Sequence, residues 1–235
     1  MILQVGLGIS SYAFPSMFQS VQNRLWFGTS PACQESCLVQ RLRHWGGFKI
    51  GIATISYLFV VPLKNELLDL QREFKDLTIT VGLGDRHRLL STNRSIHDLK
   101  ITVEENLSLI SGIASSNKRL VQFAASLGLK AILNTGDPEE ITAFLDFINP
   151  SLVTAYLPVS LPDLPIETRK GYDTWVNRMV GKKRSRERVE VDFDSIWERL
   201  DELKDLEIEE VILSAPWDKS LVGMDFVSGL DVTYN

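Results

Sequence analysis

Apolar and polar positions change period repeatedly along the chain, and the changes predict alternating strands and helices. Segments 2–10 (ILQVGLGIS), 24–28 (RLWFG), 48–59 (FKIGIATISYLF), 77–84 (LTITVGLG), 107–116, 130–134 (KAILN), 151–161 and 209–216 (EEVILSAP) are short, apolar and β-branched, as buried strands are. Between them the period lengthens toward that of a helix. In 61–76 the residues Leu63, Leu67, Leu70 and Phe74 fall on one face. Helices are also expected over 31–45, 117–128, 137–148 and 191–206, and a short helix or turn over 15–23. Gly128 is placed as a C′ residue, Asp137 as an N-cap and Pro138 at N1, with acids following in the first turn. The stretch 85–106 is polar, and its Thr102-Val-Glu-Glu105 spacing predicts a capping box with a short helix starting there.

About eight strands separated by helices imply a parallel sheet, and its fold class is a shortened TIM-type (β/α)8 barrel. An open doubly wound sheet is the alternative. It lacks its fingerprint: the Gly82-Leu-Gly84 and Gly6-Leu-Gly8 turns carry His87 and Ser11 where the third glycine belongs. No repeat and no low-complexity linker divides residues 1–235, so one domain is expected.

Composition narrows the function classes. The 235 residues are 44% hydrophobic, enough for a sizeable core. A net charge of −5 argues against a nucleic-acid partner, even with the basic run at 181–188, which is read as a solvated loop. No apolar run reaches the roughly 18 residues of a membrane span, and no leader pattern opens the chain, so a cytoplasmic protein is expected. Cys33 and Cys37 stand alone, without further cysteine or histidine at ligand spacing. They are expected to be free thiols, and no metal site is expected. His44, His87 and His97 are scattered and form no nucleophilic triad.

The candidate chemistry gathers where strands end. Gly84 and Asp85 close the fourth strand, where glycine lets a ligand approach and an acid stands on the catalytic face of a barrel. Taken alone, this pattern more often describes a charged loop in water. Ser115, Ser116 and Asn117 lead into a helix, whose N-terminus suits a phosphate; plain N-capping is the other reading. Asn134 and Thr135 form a second such turn, beside the acids Asp137, Glu139 and Glu140.

In order, the stretches LWFGTSP, FKIGIATIS, TITVGLGD, ISGIASSNKRLVQFAASLGLKAILNTGDPEEI and LDELKDLEIEEVILSAPW resemble the luciferase-like monooxygenase superfamily. They are most similar to its deazaflavin-dependent, methylene-tetrahydromethanopterin reductase-like branch. The resemblance implies a barrel binding coenzyme F420, or FMN as the alternative, at the strands' C-terminal ends, and hydride transfer to or from a small organic substrate. It implies that Ala53 and Thr54 sit at a non-prolyl cis peptide backing the ring, a bond that costs about 3–4 kcal/mol. It places Gly84 and Asp85 beside the ring, with Asp85 as catalytic acid or base. Ser115, Ser116 and Asn117 fall on the phosphate turn, and Asn134 and Thr135 on the next strand end. A homodimer is expected. The family's acid–histidine pair falls on Gly28 and Thr29, and the insertions that cover substrate are trimmed. A degenerate, non-catalytic barrel is therefore the alternative function.

Overall fold

The computed structural model describes residues 1–8, 24–28, 43, 48–55, 61–74, 76–82, 92–160, 191–192 and 195–214. The expected helices at 15–23 and 31–45 lie almost wholly outside these residues, as do both cysteines, the basic run, Gly84 and Asp85.

Eight strands run parallel: β1 (Ile2–Gly8), β2 (Leu25–Gly28), β3 (Ile50–Ile55), β4 (Thr78–Gly82), β5 (Gly112–Ala114), β6 (Lys130–Leu133), β7 (Val153–Ser160) and β9 (Glu210–Ser214). β1 through β7 pair in sequence order, β7 pairs β9, and β9 pairs β1, so the ladder returns to its start. This is the (β/α)8 barrel that the alternation predicts, and the open sheet is excluded. Each strand coincides with an expected one, though trimmed. The largest trim is at 107–116, where only Gly112–Ala114 is strand. There Asn106 O accepts the Leu109 and Ile110 amides (2.9 and 3.0 Å), forming a turn that buries both side chains before the strand begins.

The described helices are α1 (Val61–Glu73), α2 (Thr92–Glu104), α3 (Lys118–Ser126), α4 (Pro138–Leu145) and α5 (Ile196–Asp205). Two expectations are corrected. Thr102 does not start a helix. It lies in the last turn of α2, where its hydroxyl donates to the Asp98 carbonyl at 2.9 Å, and Ile96, Leu99 and Val103 supply the buried face. The segment 191–206 is not one helix either. Val191 and Asp192 form a short strand, β8, that pairs with Val159 and Ser160 of β7, and the helix starts at Ile196.

The end signals of α3 and α4 hold. Asn117 caps α3, and Asp137 caps α4 ahead of Pro138, Glu139 and Glu140. Gly128 (φ +65°) ends α3 in a Schellman motif: its amide donates to Ala125 O at 3.1 Å, and that of Leu129 to Ala124 O at 2.9 Å. α5 ends the same way, through Glu207 N to Lys204 O (2.9 Å) and Ile208 N to Leu203 O (3.1 Å). Its left-handed residue is Glu207 (φ 60°), not a glycine.

Strand parity sorts the core into two compartments. Outward residues such as Leu25, Phe27, Ile50, Ile52, Ile79, Val81, Ile113, Leu133, Val211 and Leu213 pack with helix residues such as Leu99, Leu120, Ile141 and Leu200. Inward residues form a separate cluster of Trp26, Ala114, Ile132, Tyr156 and Ile212. Gly51 is inward on β3, and a Cβ there would lie 2.4 Å from the Trp26 ring.

Two outcomes follow for stability, both read by denaturant unfolding. Gly128→Ala has open space around it, so it should cost only the left-handed backbone penalty, about 1 kcal/mol, whereas Glu207→Gly should gain about 0.5–1 kcal/mol. Gly51→Ala should cost about 1–3 kcal/mol, because the indole must move to admit one methyl group.

Candidate functional site at the C-terminal end of the barrel

The inward positions change character from one end of the barrel to the other. At the N-terminal end they are polar. Glu210 Oε2 accepts from Gln4 Nε2 and from Thr154 Oγ1, both at 3.1 Å. Its Oε1 takes the Lys130 ammonium, and the Trp26 indole N–H donates to Gln4 Oε1. Arg24 lies nearby and donates to Asp76 O at 3.4 Å. Burial pushes its pKa below the ordinary arginine value, while Glu210 and Asp76 pull it back up. This charged plug closes the end opposite the one where barrels carry their chemistry. Above it, Trp26, Tyr156, Ile132 and Ile212 fill the middle.

At the C-terminal end the inward register positions are Gly8, Gly28, Ala53, Ile55, Gly82, Ala114, Pro158 and Ser214, followed by Asn134. Most are small, and the packing at Gly82 is tight: a Cβ there would lie 2.7 Å from Ala114 O. This small-sided end of the barrel, beyond the layer of Trp26 and Tyr156, is called the bowl below. Ala53 lies on its β3 wall, paired with Thr80, whereas Thr54, paired with Val81, falls on the outward parity of β3. No peptide bond among the described residues is cis, so the cis bond implied at Ala53–Thr54 is not found. β3 pairs residue for residue with β4 across this bond, from Gly51 to Ile55, and extended trans backbone satisfies that ladder.

The two strand-to-helix turns that follow β5 and β6 are brought together. Ser116 Oγ accepts the Asn134 amide at 3.0 Å, which ties one turn to the other. Ser115 Oγ accepts the Asn117 amide (3.0 Å), and Thr135 Oγ1 accepts the Asp137 amide (3.1 Å). In all three hydroxyls a backbone N–H occupies a lone pair, and among the described residues none of the three hydrogens has an acceptor. A hydroxyl held this way is a donor waiting for an anion. Thr135 is 1% exposed and Ser115 6%, whereas Ser116 and Asn117 are half-buried, so the last two face a ligand most directly.

The electrostatics of the turns differ. α3 begins with Lys118 and Arg119 and has no acid in its first turn. Cations at a helix N-terminus oppose its dipole, and a bound anion would reverse that cost. α4 has its N-terminus already satisfied by Asp137, Glu139 and Glu140. Of the two turns, Ser115–Asn117 is the one whose helix N-terminus lacks acids, with Asn134 and Thr135 beside it. Ala53 and Thr54 stand two strands from this turn, about 10 Å at ordinary strand spacing. A separate cavity of about 350 Å³, lined by residues including Met1, Asn149, Ser151, Lys204 and Glu207, opens at the N-terminal side, away from all of them.

Residue patterning missed the aromatic layer and the plug. Gln4, Trp26, Lys130, Tyr156 and Glu210 lie within strands, and only the inward parity shared by neighbouring strands identifies them. Asp85 and Gly84 follow β4, whose C-terminal end opens on the bowl, but they lie outside the described residues.

No family sequence model matches the chain, and no curated protein matches it by sequence. Solved structures do match in fold. The coenzyme F420 dependent tetrahydromethanopterin reductase from Methanopyrus kandleri superposes with a TM-score of 0.63 at 13% identity, covering 99% of this chain and 97% of that one. The monooxygenase RslO1 from Streptomyces bottropensis gives 0.61 at 12% identity, covering 98% and 96%. Apo-MsnO8 gives 0.60 at 14% identity, covering 91% and 92%. The chain thus shares, over nearly its whole length, the barrel fold of these three proteins.

Proposed function

We propose that this protein is an oxidoreductase that binds a deazaflavin, coenzyme F420, in the C-terminal bowl, with FMN as the alternative cofactor. The observation that carries the reading is the set of pinned hydroxyls at Ser115 and Ser116 beside strand ends lined mostly by small residues. A planar ring needs such strand ends, and its phosphate tail needs such donors. When bound, a ring of this kind exchanges a hydride with an organic substrate. Ser116 and Asn117 hold the phosphate, with Ser115 behind them. Asn134 and Thr135 keep that turn in place, and Ala53 and Thr54 support the ring. Gly84 lets it approach β4, and Asp85 is the acid or base beside it. The fold neighbours support a reductase or monooxygenase frame for this chemistry. Among the described residues no helix is long and apolar enough to cross a membrane. A single-domain cytoplasmic homodimer completes the proposal.

A second reading is a barrel that binds a cofactor without turnover. Gly28 ends β2 and Thr29 follows it, where the resemblance places an acid–histidine pair.

Mixing the protein with F420 or FMN at micromolar concentration should perturb the cofactor's absorbance or fluorescence; silence from both would remove the proposal. Ser116→Ala should weaken FMN binding about tenfold, the loss of one hydrogen bond to a charged group, and leave riboflavin, which lacks the phosphate, unchanged. Asp85→Ala should retain the cofactor and lower turnover at least about a hundredfold, the scale of general acid–base catalysis. A natural chain that binds the cofactor but shows no turnover would favour the non-catalytic barrel.

A further inference from the structure

Among the described strands only β8 lies outside the closed ladder. It runs parallel to β7 and pairs with that strand's last two residues, Val191 with Val159 and Asp192 with Ser160. The barrel pairings of β7 end earlier, at Ala155 toward β6 and at Pro158 toward β9. β8 is therefore an added strand at the C-terminal end of the barrel. On β7 the inward parity is that of Thr154, Tyr156, Pro158 and Ser160, since Tyr156 belongs to the inward cluster and Val159 to the outward core. Residues in register on neighbouring strands share a face. Asp192 thus holds an inward register position, one step beyond the Pro158–Ser214 pair.

Among the described residues, inward strand positions carry two carboxylates, Glu210 and Asp192. Glu210 closes the N-terminal end and is answered there by Lys130, Gln4 and Thr154. Asp192 stands at the other end, where a strand gives way to a helix and barrels place their working groups. Its position around the ring of strands matters as much. β3 and β7 are four steps apart in a closed ladder of eight, so they lie on opposite sides of the barrel. A planar ring seated against Ala53 on β3 has its other face toward the β7 side, where a substrate would meet it.

We infer that Asp192 supplies negative charge on the substrate side of a ring bound in the bowl, and so makes the substrate the acceptor of the hydride. The inference deepens the cofactor reading and rests on it. Negative charge at that place opposes an electron-rich reduced ring more than an oxidised one. It therefore favours loss of the hydride, with its two electrons, from the reduced cofactor to the substrate, which is reduced and takes a proton from water.

The test measures binding of oxidised and of dithionite-reduced FMN to the full chain. Asp192→Asn should bind the reduced form about tenfold more tightly relative to the oxidised form, a rise of about 30 mV in the midpoint potential of the bound cofactor. Asp192→Glu keeps the charge and should keep the natural ratio. Asp205→Asn removes an equal charge from the last turn of α5, at the opposite end of the barrel, and should also leave the ratio alone. An unchanged ratio in Asp192→Asn, or an equal shift in Asp205→Asn, would overturn the inference while leaving the cofactor reading intact. Should Asp192→Asn not fold, Ser160→Asp adds a carboxylate in the same register row. It must move the ratio about tenfold the other way, and no movement would overturn the inference. A natural chain that binds neither FMN nor F420 removes the cofactor reading and this inference together.

Discussion

An eight-stranded parallel barrel encloses room for a limited number of inward side chains, and that volume constrains everything else here. Trp26 and Tyr156 take most of it in the middle layer, together with Ile132 and Ile212. Their neighbours must then be small. Gly51 lies against the indole, and Gly6 faces Ile212, where a Cβ would sit 3.0 Å from its Cγ2. Below the rings the space is filled by polar groups that satisfy one another around Glu210. Above them most of the strands end in glycine, alanine or serine.

Burying charge at the plug is tolerable only because each group there is answered. A carboxylate removed from water is costly unless it is paired and hydrogen-bonded, and Glu210 receives a lysine, an amide and a hydroxyl. Arg24 adds positive charge at the same mouth, near enough to Glu210 for the carboxylate to oppose the lowering of its pKa. The opposite end spends its polar groups differently. Ser115, Ser116 and Thr135 accept backbone N–H bonds and keep their own hydrogens for an outside acceptor. One end is electrostatically closed and the other is left open.

The elements were legible because parallel strands and their covering helices have distinct periods. Asn117, Asp137, Pro138 and Gly128 announced helix ends through backbone chemistry that acts over three or four residues, and all four stand where expected. Where a distant partner decides, local pattern failed. Thr102 has the spacing of a capping box, yet the face of Ile96, Leu99 and Val103 carries a helix through it. Val191 and Asp192 sit in helical pattern but pair with β7. The resemblance implied a cis bond at Ala53–Thr54, and the regular ladder from β3 to β4 holds the backbone trans.

By itself the sequence determined the order of the elements, the class of fold and the strand ends at which ligand-binding groups cluster, because hydrophobic period, caps and turn residues act locally. Only the tertiary structure decided which strand residues face inward together. Gln4, Trp26, Gly51 and Glu210 come from four strands, and none is unusual in its own segment. Barrel closure brings β9 beside β1, setting Ile2 against Glu210 and Gln4 against Ile212. A chain of hydrogen bonds from Lys130 through Glu210 and Gln4 to Trp26 exists only after that closure, since its members are separated by as many as 206 residues.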